Sequence, residues 1–255
     1  MEILVLRLVL PPLTVLVAGW LQHRAGPRLS GRLVGLPFTS GPLVLVLLFT
    51  EGTSAAAVTA QGVLAGQVMV VGFACTYAIA STRATPLSSL VTALVCTAAL
   101  GAGARTATEV MPWSGLVVLP VALVALRLWR TVPTPTVAPA KLSSTQLVVR
   151  AALAGVLVAG LSTSSPLLGA GLTGVLASVP MVLSVVAPGT HRDAGSPTVR
   201  SMLRGALTVV PGTAAFAAVL AVTLVPIEGP VGFLAAGVLM VLVNAAVSQW
   251  DDRSR

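Results

Sequence analysis

Apolar runs punctuated by Gly, Pro and charged residues divide the chain into nine segments, at about 3–21, 29–50, 57–81, 86–104, 112–130, 146–163, 167–188, 198–225 and 230–249. Each lies near the roughly 20 residues that a helix needs to cross a hydrocarbon core of about 30 Å. The pattern predicts an all-α, polytopic membrane helix bundle of about nine spans. The segments at 57–81 and 198–225 are long enough to tilt or to carry an extra turn beyond the membrane. Between the fifth and sixth runs, Thr131–Lys141 (TVPTPTVAPAK) holds three prolines and reads as a linker.

Composition agrees with that reading and removes the soluble alternative. Hydrophobic residues make up 56% of the 255 and charged residues only 9%, with a mean hydropathy of +0.98, against roughly 45–50% and 25% in soluble domains. Nine spans leave about 75 residues for connections, too few for a folded extramembrane domain. Function is therefore expected inside the bilayer.

The net charge of +8 changes the picture only through its placement. Basic residues stand singly between apolar runs, so nucleic acid is not an expected partner; the lipid bilayer is. With the first loop in the cytoplasm, Arg24, Arg28, Arg32, Arg83, Arg127, Arg130, Lys141, Arg150, Arg192, Arg200, Arg204, Arg253 and Arg255 share that side, while Arg7 and Arg105 lie outside. Lys and Arg near span ends resist translocation, which predicts a cell-membrane protein with its amino terminus outside and its carboxyl terminus cytoplasmic. Trp20, Trp113, Trp129 and Trp250 fall at span ends, where amphipathic rings anchor at the headgroups.

Comparing the two sides of the linker reveals a faint repeat. Pro27, Leu29, Leu33 and Gly35 align with Pro166, Leu168, Leu172 and Gly174. After a one-residue deletion, Ser40, Pro42, Val44 and Leu45 match Ser178, Pro180, Val182 and Leu183, and the first offset returns for Thr59, Leu64 and Gly66 against Thr198, Leu203 and Gly205. The expected organisation is a first four-helix repeat (1–110), a connecting helix with its Pro-rich linker (111–145) and a second four-helix repeat (146–255). The odd helix between them turns the second unit over, giving a 4+1+4 inverted-topology repeat. Such pairs generate a pseudo-two-fold axis in the membrane plane.

The run Gly35, Leu36, Pro37 followed by Ser40 and Pro42, together with Leu203 and Arg204 opening a span that contains Pro211, resembles the small four-helix GlpM-type bacterial membrane proteins. The resemblance implies a duplicated unit in a bacterial inner membrane and hands over no catalytic residue. The first half departs from it at Ala65, the counterpart of Arg204.

Candidate chemistry is sparse. GLPFTSGP at residues 35–42 places Pro37, Gly41 and Pro42 in the second span, and proline there removes a donor and blocks the preceding turn. Ser178 and Pro180 form the counterpart. Matching interrupted helices in two halves point to a transport site, so Thr39, Ser40 and Ser178 are expected to line a substrate path, with Pro37, Gly41, Pro42 and Pro180 shaping the backbone. Arg200 and Arg204, one turn apart, suit an anion or a lipid headgroup. Gln67 and Asn244 are expected to hydrogen bond between helices, and Tyr77 to sit at an interface. Gly31 with Gly35, and Gly62 with Gly66, allow close backbone approach within the chain, in a homodimer or against a membrane-protein partner.

No GxSxG, HExxH or paired-Asp motif occurs, and His23 and His191 fall in expected loops. Cys75 and Cys96 form no CxxC pair. No enzyme activity, metal or cofactor is expected. The sequence thus points to a permease or flippase-like transporter of a small or amphiphilic solute, with a non-transporting scaffold or accessory subunit as the alternative.

Overall fold

The computed structural model describes residues 31–33, 35–37, 39–129, 144–227 and 229–253. After a helical turn at 31–33 come α1 (Ser40–Thr50), α2 (Thr53–Ala80), α3 (Pro86–Val110), a 3-10 turn (Ser114–Val117) and α4 (Val118–Leu128). Then follow α5 (Ser144–Leu168), α6 (Ala170–Ala177), α7 (Met181–Thr223) and α8 (Gly229–Arg253). All elements among the described residues are helical. Local chemistry sets several starts: Pro86 opens α3 behind Thr85, whose hydroxyl accepts from the Ser88 amide.

Four helical stretches are long and apolar enough to cross a membrane: Thr53–Ala80, Pro86–Val110, Ala170–Thr223 and Gly229–Asp251. The chain is accordingly a membrane protein by the length and apolarity of its helices. The expected segment 3–21 and the linker 131–141 lie outside the described residues. The 43 residues of α7 would extend about 65 Å as one rod, twice the hydrocarbon thickness. Gly195 interrupts it at φ 78°, ψ 172°, a conformation open essentially to glycine alone, and divides α7 into 181–194 and 196–223.

Two central helices are buried and two peripheral ones are not. Nearly every residue of α7 from 198 to 217 is enclosed, and α2 packs against α3, α6 and α7. On the outside, α3 rests on α2 as α8 rests on α7. Val91 and Val95 of α3, and Leu234, Val238, Val241 and Leu242 of α8, turn large apolar side chains outward. In water such continuous faces would be costly; against lipid tails they are not.

The runs at 29–50 and 167–188 are interrupted near Pro37 and Pro180: described residues 35–37 and 39 lie outside helix in the first, and 169 and 178–180 in the second. The structure corrects other local expectations. His191 lies in helix α7 and not in a loop, as do Arg192 and Asp193, which form an exposed pair at 3.0 Å. Tyr77 is fully enclosed, its hydroxyl donating to the Pro86 carbonyl at 3.3 Å and standing 3.4 Å from His191 Nδ1. Its polar end finds protein partners where a headgroup contact was expected.

Candidate functional site

Both breaks open onto one small cavity. Pro37, Thr39 and Ser40 from the first and Ser178, Pro180 and Val182 from the second line it, with Gln67 of α2 and Thr213 of α7. Its volume is about 50 Å³, room for a few water-sized groups. Of the residues expected to shape the second span, Pro37 lies in the break, whereas Gly41 and Pro42 follow it, buried in the first turn of α1, where the amide missing from proline is not needed. Pro180 caps α7 from outside the helix.

Glycine brings the two segments together. Along α6, a Cβ at Gly174 would strike the Thr59 carbonyl of α2; on α2, Cβ atoms at Gly62 and Gly66 would strike the Gly171 carbonyl and Ser178. Reciprocally, a Cβ at Gly31 would fall on the Met202 carbonyl of α7, and one at Gly35 would meet Val209 and Ala206. Each half of the chain thus lays its short interrupted segment along the buried central helix of the other half. Both glycine pairs are used within the chain, where they let backbones touch.

Thr39 Oγ1 donates to the Ala177 carbonyl at 3.3 Å, across 138 positions. That separation is the same as between Ser40 and Ser178. Ser178 Oγ donates to the Val63 carbonyl at 3.1 Å and lies 3.4 Å from Gln67 Nε2, which also reaches the Val63 carbonyl at 3.5 Å. Thr213 Oγ1 donates to the Val209 carbonyl at 3.2 Å and reaches that of Gly35 at 3.5 Å. Ser40 is equally buried, at 3% exposure, yet its hydroxyl makes no hydrogen bond to any described residue. At the start of α7, Met181 donates to Val179 and Ser184 to Pro180, while the amides of Val182 and Leu183 find no backbone acceptor among the described residues. The cavity therefore presents donors, and among the described residues its lining includes no ionisable side chain.

The two arginines separate. Arg204 is 2% exposed and grips Asp251 of α8, Nη2 to Oδ1 at 2.6 Å and Nη1 to Oδ2 at 3.3 Å, with Nη2 also 3.4 Å from the Leu126 carbonyl of α4. The expectation that it meets a headgroup is corrected: the guanidinium fork faces inward because a matching carboxylate stands at the end of the last helix. Arg200, half-buried one turn earlier, does not join that pair. Its Nε is enclosed with no hydrogen-bond partner among the described residues. At Ala65, the aligned position in the first half, Gly115 of the 3-10 turn packs directly onto the α2 backbone, an approach that a Cβ on Gly115 would block. One end of the connecting unit thus rests on Ala65 and the other on Arg204.

Sequence reasoning placed Thr39, Ser40, Ser178 and Pro180 together and gave Gln67 a hydrogen bond between helices, which it makes to Ser178, but no place in the cavity lining. It missed Thr213, and it missed Asp251, separated from Arg204 by 47 positions with no periodic signal between them. No family model, curated protein or solved structure matches the chain.

Proposed function

We propose that the chain is an integral membrane permease of the flippase-like, inverted-repeat kind, moving a small solute through the cavity between its two interrupted segments. The observation that carries the reading is the contact of Thr39 with Ala177 at aligned positions beside a polar cavity. Reciprocal packing of each short segment on the opposite half supports it, because two interlocked units related by a pseudo-two-fold axis have two equivalent ways to tilt. A volume of about 50 Å³ favours a small solute over an amphiphile, and the hydroxyl and amide lining favours one that accepts hydrogen bonds.

The test is accessibility. Cysteines introduced at Ser40 and at Ser178, each in a Cys75→Ala, Cys96→Ala background, are expected to react with a membrane-impermeant maleimide from one side of a proteoliposome and then, under other conditions, from the opposite side. Labelling closed to both sides under every condition overturns the transport reading and transfers it to the scaffold. Finding both chain ends in one compartment overturns the inverted arrangement itself.

A further inference from the structure

An apolar groove of about 610 Å³ runs between α2, α3 and α4 and shares no lining residue with the polar cavity. Val68, Val71 and Cys75 of α2 form its floor, Leu100 of α3 one wall, and Val121 of α4 with Trp129, just past the end of α4, the other. From Val68 to Ile79 it follows eleven residues of α2, a rise of about 16 Å. That is the depth of one leaflet of a hydrocarbon core about 30 Å thick.

Charge distinguishes its two ends. Ser81 hydrogen bonds Ser196 at 3.0 Å and Arg204 reaches the Leu126 carbonyl, so Arg200, between 196 and 204, stands at the end formed by Ile79, Leu128 and Trp129. Arg83, just beyond α2, and Arg127, whose guanidinium lies 5.3 Å from the Trp250 ring centroid, belong to the same end. Arg200 lines the groove, and its Nε has no protein partner among the described residues.

We propose that this groove holds one acyl chain of an anionic phospholipid, with the lipid phosphate on Arg200 and the glycerol level at Trp129. A guanidinium suits phosphate oxygens, since its planar fork donates two hydrogen bonds in parallel. The apolar trough and its single cationic end match the two ends of one lipid. Because the groove and the polar cavity have no lining residue in common, the site stands whether or not solute passes through the cavity.

Native mass spectrometry of the full chain from micelles holding equal phosphatidylglycerol and phosphatidylcholine, of identical acyl chains, tests this. The wild type is expected to retain one phosphatidylglycerol with a preference on the order of tenfold. Arg200→Gln should retain lipid without the headgroup preference, and Ala125→Phe, which fills the trough, should lose retention altogether. Arg127→Gln should behave as wild type, because that side chain is committed to Trp250. Equal retention of both lipids by the wild type overturns the proposal. So does retention of inorganic phosphate without lipid, a lipid-free dimer occupying the same face, or preference unchanged in Arg200→Gln. If Ala125→Phe fails to fold, the Arg200→Gln preference alone decides.

Discussion

Ser40 and Ser178 occupy aligned positions in the two halves, each buried beside a helix break, yet they do different things. Ser178 is committed: its hydroxyl bridges the Val63 carbonyl and Gln67, with the Gly174 carbonyl 3.4 Å away. Ser40 makes no hydrogen bond to any described residue and lines the cavity. A like inequality separates Ala65, a small contact for Gly115, from Arg204, which ties α7 to α8 and α4. At both aligned pairs the residue of the second half is bonded within the protein, while at the serines the residue of the first half makes no hydrogen bond among the described residues.

Five variants break or sharpen that contrast. The largest effect is expected at Arg204. Arg204→Ala should cost about 3–5 kcal/mol, because the buried Asp251 carboxylate loses its guanidinium. Arg204→Met with Asp251→Leu should recover most of that loss; both are read as unfolding free energies in one detergent. An exposed surface pair would cost under about 1 kcal/mol, and such a value would remove the clasp from the argument.

Ser178→Ala comes next, at about 1–2 kcal/mol, since the Val63 carbonyl and Gln67 amide lose a shared partner in a dry site. Thr39→Val should cost about 0.5–1 kcal/mol by deleting the bond to Ala177. Ser40→Ala should change stability by less than about 0.5 kcal/mol, there being no bond to lose. Equal losses at Ser40 and Ser178, followed by thermal midpoints, would erase the distinction between them.

The break segments were legible because proline and glycine leave local signatures: Pro37 and Pro180 mark both interruptions before any packing is known. The precise break was not legible. Sequence spread the kink over Pro37, Gly41 and Pro42, but the last two fit the first turn of a helix as well as they disrupt its middle. Tyr77 illustrates a different limit. An amphipathic ring at the end of a span suits a membrane interface or a protein cleft equally, and only the return of α7 past His191 decides between them.

Apolar content and run length by themselves determined that this polypeptide is helical and belongs in a bilayer, since lipid accepts apolar surface and requires each segment to satisfy its own backbone. The spacing of Gly, Pro and Ser carried the hint of two related halves. Which helices are enclosed and which face lipid was decided by tertiary structure alone. Almost every segment is apolar all round, so no sequence periodicity distinguishes protein from lipid as its neighbour. The same holds for Arg204: a cation near the end of a span is read as facing headgroups until a carboxylate 47 positions away is folded against it.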